Sequence, residues 1–315
     1  MEPLLETVHL KKYFKVGEGT LHAVDDVNLR IEKGRNLGIV GESGCGKSTL
    51  GRAVLRLLDA TEGQVFIEGE DITRFDKRQL RGLRRRAQMI FQDPYASLNP
   101  RMSVFELIAE PLQMNKVYSS HQEMAARIMK MMDMVGLAGR FVNSYPHELD
   151  GGRRQRIGVA RALVMNPRFV VCDEPVSALD VSIQAQILNL LMDLQDELSL
   201  TYMFITHNLS VVKHISKEIA VMYLGQCVEL APSRELFKNP MHPYTKALLA
   251  AVPVPRLENN EPPIIIRGEV SNPVDPKPGC RFAPRCDCSA DVCMKDPELR
   301  DQGGGHFVAC HLAVK

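Results

Sequence analysis

No charge of one sign dominates this chain. Its 315 residues carry 39 Lys and Arg against 38 Asp and Glu, a formal net charge of +1. That near-balance excludes a protein that coats DNA or RNA, which needs a strong positive footprint, so no nucleic-acid partner is expected. Long apolar runs are missing too, and none approaches the ~18 residues that cross a bilayer. The opening stretch MEPLLETVHLKKYF has neither the basic region nor the apolar core of a secretory signal. The expected compartment is the cytosol, where eight cysteines do not make a disulfide framework. Repeats of roughly 20–50 residues are absent, which excludes a solenoid. What remains is a globular balance, 45% hydrophobic and 24% charged, and a cysteine distribution in which five of the eight lie between Cys280 and Cys310.

Residues 1–250 read as alternating strands and helices. Short apolar runs at Leu37–Val40, Met89–Phe91, Phe169–Cys172 and Met203–Ile205 predict buried strands. Apolar residues recur at steps of three and four from Ile183 to Leu198, predicting an amphipathic helix. Such alternation implies an α/β fold with a parallel sheet covered by helices. The first 35 residues and 63–73 look antiparallel instead. Between Ser103 and Leu149 the pattern is helical, and Met129, Met131, Met132 and Met134 are expected to pack in a core. Nine of the 19 prolines fall between Pro253 and Pro297, which is linker and loop chemistry. Two domains are therefore expected, 1–250 and a loop-rich extension 251–315.

Gly41-Glu42-Ser43-Gly44-Cys45-Gly46-Lys47-Ser48-Thr49 has the spacing of a phosphate-binding loop. It follows a strand and precedes a helix expected over 49–58, the context this motif needs. Glycines let backbone N–H groups turn inward onto phosphate oxygens, and the helix directs its positive end at the same anion. Lys47 supplies a point charge and Ser48 a hydroxyl for Mg²⁺. Cys45 reads as a loop position rather than a nucleophile. Phe169–Glu174 is an apolar strand ending in two carboxylates. Asp173 would then stand near Mg²⁺, and Glu174, one residue on, would polarise the attacking water.

With these residues in view the chain resembles the ATPase subunit of an ABC transporter. Leu149-Asp-Gly-Gly-Arg-Arg-Gln-Arg156 resembles the signature LSGGQ-x-Q-R, Phe91-Gln92 the Q-loop, Ser177-Ala-Leu-Asp180 the D-loop and Thr206-His207 the switch histidine. The resemblance covers about residues 5–250. It implies a P-loop fold with a parallel core sheet, an antiparallel β subdomain and a helical signature subdomain. By position it implies that Phe14, with Tyr13 as the alternate, stacks on adenine. It implies also that Gln92 senses Mg²⁺ and water, and that His207 holds the γ-phosphate. Two such chains would face head to tail, each ATP lying between one phosphate loop and the partner's Asp150, Gly151, Gly152 and Arg153.

The signature departs from the family at two places, Asp150 for Ser and Arg153 for Gln. An ionised aspartate only accepts hydrogen bonds. Facing a phosphate at ~4 Å with an effective dielectric of about 20, it would cost on the order of 4 kcal/mol per charge pair. The expectation is an impaired site at this chain's signature and a different ATPase subunit as partner. The alternative is that Asp150 turns away or that Arg153 neutralises it.

The C-terminal cysteines have spacing suited to a metal or cluster, though not the regular zinc pattern. His242-Pro-Tyr-Thr-Lys-Ala-Leu-Leu249, a proline-rich stretch and G-C-x-F-x-x-R-C resemble the oligopeptide/dipeptide transporter ATPases. That resemblance implies a [4Fe–4S] cluster on Cys280, Cys286, Cys293 and Cys310, with Cys288 extra. Zn²⁺ on the same four thiolates, or buried thiols without metal, are the other readings. Cys172 and Cys227 are expected in the core. The basic runs Arg81, Arg84–Arg86 and Arg153, Arg154, Arg156 read as solvated surface, or as contacts with ATP, the partner or lipid. The family implies two membrane permease subunits, a groove after Gln92 for one of their cytoplasmic helices and, indirectly, an extracellular peptide-binding protein. It places the chain on the cytoplasmic face of a bacterial or archaeal membrane. Nickel, glutathione or another small solute as cargo, or a regulatory partner with little hydrolysis, are the alternatives.

Overall fold

Five consecutive buried residues, Asn36–Val40, form the strand that feeds the phosphate loop. The computed structural model describes residues 3–251 and 273–313. The proline-rich linker expected from Pro253 lies, as far as residue 272, outside the described residues. The chain divides into two compact units: 1–4, 32–35 and 74–204 form the first, and 5–31, 36–73 and 205–315 the second.

In the second unit Asn36–Val40 pairs in parallel with Glu218–Tyr223, Val40 lying opposite Val221. Glu218–Tyr223 pairs antiparallel with Gln226–Pro232, which in turn pairs with the short strand Phe307–Val308 near the C-terminus. Helix Leu209–Ile215 lies so close to the first strand that a Cβ on Gly38 would meet Val212 Cγ2 at 1.9 Å. Glycine is therefore required there, since interiors leave no such space. The expected antiparallel segments are present. Leu5 pairs with Ile67 across Pro3–Val16 and Glu62–Ile67. Part of the segment after 273 packs into this unit's core: Phe282 lies in one buried cluster with Val40, Tyr223 and Tyr244, and Cys280 and Cys286 lie against it.

In the first unit Ala87–Ile90 and Phe169–Asp173 pair in parallel, Ile90 opposite Cys172. Both strands were legible as apolar runs. Helices Val104–Met114, His121–Met134 and Gly151–Leu163 form its helical part. Ser103 caps the first of these, accepting from Glu106 N–H while Glu106 reaches back to the Ser103 N–H. Met131 and Met132 are fully buried, as expected, but Met129 is 41% exposed. Helix Val181–Leu198 matches the periodicity. The helix expected over 49–58 instead spans Lys47–Val54. It starts earlier because Gly46 caps it, and stops earlier because Arg56 adopts a left-handed φ of 53°.

Candidate functional site

The phosphate loop is built by backbone geometry that only glycine allows. Gly41, Gly44 and Gly46 have φ of 151°, 79° and 103°. A Cβ on Gly41 would stand 2.2 Å from the Met222 carbonyl, and one on Gly46 2.0 Å from that of Ala23. Lys47 is buried, its ammonium donating to the carbonyls of Gly41 and Glu42 at 2.8 Å each. The Glu42 N–H donates to the Tyr244 hydroxyl at 2.9 Å. Cys45 is buried and burial holds its thiol above the ordinary value, which suits the loop role rather than nucleophilic chemistry. Ser43 and Gly44 are exposed; Ser48 and Thr49 are half-buried at the start of the helix. The Thr206 N–H donates to the Ile39 carbonyl at 3.1 Å, so exposed His207 follows directly from a residue bonded to the strand that feeds the loop.

Of the two aromatic candidates, Tyr13 is already engaged. Its ring stacks on His22 at 3.9 Å and its hydroxyl donates to Asp25. Burial and that bond raise its phenol well above the ordinary value. Phe14 is half-buried, with the Lys12 ammonium 4.9 Å from its ring centre.

The first unit gathers the acidic pair. Because Ile90 and Cys172 are register partners, Gln92 and Glu174 leave the same sheet edge two residues later. Gln92 Nε2 donates to Glu174 Oε2 at 3.1 Å. Asp173 is 1% exposed at the strand end, while Glu174 turns off the strand with a φ of 45°.

The signature is not the isolated charge the sequence suggested. Asp150 is the N-cap of helix Gly151–Leu163: one carboxylate oxygen accepts from the Arg153 N–H at 2.8 Å and the other from the Arg153 guanidinium at 2.6 Å. The guanidinium also lies 4.8 Å from the Phe141 ring centre. In the free chain Asp150 is therefore not an isolated charge: Arg153 lies against it, the contact that the second of the two expectations named. Gly151 and Gly152 follow, where added Cβ atoms would press on Leu179 and Ile183 at 3.1 and 2.9 Å. The neighbouring arginines are likewise not simply solvated. Arg156 donates to the Val135 carbonyl at 2.5 Å, and Arg154 lies over Tyr95 at 5.3 Å. Arg85 reaches the Asn115 carbonyl.

A groove of about 250 Å³ lies in the same unit, lined by Met89, Phe91, Leu98, Met114 and Gln155 among others. Arg161 and Glu110 pair at 2.6 Å on its wall, and both amide atoms of buried Gln155 lack a hydrogen-bond partner. Ser97 and Leu98, from the stretch after Gln92, line this cavity; Gln155 was missed, its only signal being a polar residue on the buried side of a helix.

Cys280, Cys286, Cys293 and Cys310 line one small pocket with His242, Phe282 and His311. Burial raises the thiols of Cys280 and Cys286, and the neighbouring cysteines push the same way. Among the described residues, however, no three His, Cys, Asp or Glu are grouped as metal ligands. Cys288 is exposed; Cys172 and Cys227 are buried as expected.

A glycine-built phosphate loop, a buried aspartate and a Gln–Glu pair at strand ends define a P-loop ATPase. Comparison with known proteins gives the family. Residues 24–177 match the family described as ABC transporter, and 228–293 match the C-terminal region of oligopeptide/dipeptide transporters. The putative oligopeptide transport ATP-binding protein YkfD of Bacillus subtilis is 49% identical across 98% of this chain and 95% of its own length. OppF of Escherichia coli, an oligopeptide transport ATP-binding protein, is 48% identical with the same coverage. A solved ATP-binding cassette, MJ0796, in a dimeric state bound to ADP and Pi, superposes with a TM-score of 0.67 at 31% identity, covering 73% of this chain and 99% of that one. The chain belongs to the ATP-binding subunits of the oligopeptide/dipeptide ABC importer family. Its P-loop ATPase fold is as the sequence implied.

Proposed function

We propose that this chain binds Mg-ATP on Gly41–Thr49 and hydrolyses it to drive import of di- or oligopeptides, as a head-to-tail pair with a second ATPase subunit. Exchange of the Gly41 and Glu42 carbonyls for phosphate oxygens would bring Lys47 onto the triphosphate. Ser48, Asp173 and Gln92 supply the oxygens that suit Mg²⁺, a hard cation. Glu174 orients and deprotonates water, His207 holds the γ-phosphate, and Phe14 is the better platform for adenine because Tyr13 is committed to His22 and Asp25. Gly151, Gly152 and the Asp150–Arg153 pair would meet the partner's nucleotide. With the carboxylate paired, electrostatics no longer demands a different subunit on the other side.

The observation that carries this reading is the Gln92–Glu174 hydrogen bond one residue past buried Asp173. Replacing Glu174 by Gln should lower ATP turnover about 10²–10⁴-fold with Mg-ATP binding retained. Turnover at the wild-type rate would sink it.

The groove with Gln155 and the Arg161–Glu110 pair is the natural seat for a cytoplasmic helix of one of two permeases. In this reading the chain works at the cytoplasmic face of the membrane, with a peptide receptor acting from outside. Among the described residues no helix is long and apolar enough to cross it. The sequence division at 250–251 corresponds in this reading to an ATPase body and an extension. On the extension, Cys280, Cys286, Cys293 and Cys310 line one pocket and have the donor chemistry that would hold a [4Fe–4S] cluster. Such a group would act as a folding staple. Iron analysis of anaerobically purified protein, with about four irons per chain expected, tests it; zinc alone would overturn it. Peptide transport by the reconstituted complex, compared with nickel and glutathione, tests the cargo.

A further inference from the structure

The segment between Cys280 and Cys286 carries two arginines that none of the roles above uses. The Arg285 side chain is only 8% exposed. Its guanidinium donates to both carboxylate oxygens of Glu42, at 2.9 and 3.3 Å, and to the Tyr223 hydroxyl at 3.3 Å. The Glu42 bond raises the Arg285 pKa above even its ordinary value, so the group is permanently charged. Arg281 makes a companion contact, donating to the Leu224 carbonyl and the Asp25 carboxylate. Asp25 N–H bonds the Gly225 carbonyl at 2.8 Å, and Gly225 N–H bonds that of Cys45 at 2.9 Å. Phe282, between the arginines, packs edge-on against Tyr223 at 5.3 Å and tilts against Tyr244 at 5.5 Å. The cysteine-flanked segment is therefore tied to the phosphate loop at Glu42 directly and at Cys45 through Gly225.

Glu42 is a carboxylate on a loop whose backbone N–H groups must receive a triphosphate. Left alone it repels that ligand. The planar arginine fork both cancels the charge and fixes the side chain in two parallel hydrogen bonds. We propose that Arg285 is a positioning residue for nucleotide binding: by pairing with Glu42 it makes the affinity of the phosphate loop for Mg-ATP depend on the order of the C-terminal cysteine pocket. The proposal rests on the reading of Gly41–Thr49 as the triphosphate site.

The test is a binding isotherm for Mg-ATP on the full chain, with thermal melting of each sample alongside. Arg285→Ala should raise Kd at least tenfold, and Arg285→Lys, which keeps the charge but loses the fork, about threefold. Glu42→Gln added to Arg285→Ala should restore Kd to within threefold of wild type, because the offending charge is gone; a purely structural arginine gives no such rescue. If the double variant binds as weakly as Arg285→Ala alone, the proposal is overturned. Should Arg285→Ala fail to fold, Arg285→Gln, which also removes the positive charge and should raise Kd at least tenfold, decides in the same way when compared with and without Glu42→Gln. Cys280→Ser with Cys286→Ser should weaken Mg-ATP binding in the wild-type background and add nothing in Arg285→Ala/Glu42→Gln. Equal effects in both backgrounds overturn the link to the pocket. Wild-type chain that binds no Mg-ATP refutes the phosphate-loop reading itself, a result distinct from any of these.

Discussion

At the scale of single residues, Asp150 shows how a neighbour three positions on can reverse an electrostatic argument. Aspartate alone facing a phosphate is unfavourable, but here it caps a helix and pairs with Arg153. Asp150→Ser keeps a good cap and removes both charges' mutual need, so ATP turnover should change less than threefold. Arg153→Gln exposes the carboxylate and should slow turnover at least tenfold; steady-state phosphate release measures both. His242 makes a different point. Burial lowers its pKa from 6.5 to about 4, so the folded state keeps it neutral, its Nδ1 capping helix Pro243–Ala250. Below pH 6.5 the unfolded chain takes up a proton that the folded chain refuses. Stability is therefore lost as pH falls from about 6.5 toward 4, by on the order of 3 kcal/mol in total. His242→Asn, which retains a capping side chain, should flatten that part of the denaturation-midpoint profile.

At the scale of elements, caps decide where helices begin and groove walls depend on them. Helix Val104–Met114 contributes Glu110, Pro111 and Met114 to the groove, and its start is held by the Ser103–Glu106 capping box. Ser103→Ala should cost about 1 kcal/mol, read as a lower midpoint in urea with an unchanged slope. The S-x-x-E spacing of Ser103 and Glu106 is the local signal for such a box. The early end of Lys47–Val54 has no such signal, because the left-handed turn at Arg56 is taken by a residue with no intrinsic preference for it. Strand register, by contrast, explains a functional contact. Parallel pairing of Ile90 with Cys172 is what delivers Gln92 to Glu174.

At the scale of the whole molecule, the head-to-tail pair proposed above requires that nucleotide hold two chains together. Glu174→Gln with Mg-ATP should run as a dimer in analytical ultracentrifugation, and Lys47→Ala in the same background as a monomer. A dimer that forms equally without nucleotide contradicts the shared-site reading.

The linear order of residues was enough for the chemistry whose parts are contiguous. The phosphate loop, the strand ending in Asp173 and Glu174 and the signature all lie within short segments whose spacing is itself the physical requirement. It was enough, too, for the buried strands and the amphipathic helix, because burial imposes periods of about two and 3.6 residues. Only the folded chain decided what depends on partners far apart in sequence. The Tyr13 hydroxyl was taken by Asp25, the Gln155 amide was left at the floor of a groove, and Arg285 was placed on Glu42, 243 positions away. Hydrogen bonds and ion pairs act over a few ångströms of space, and no local pattern records which distant residue will occupy them.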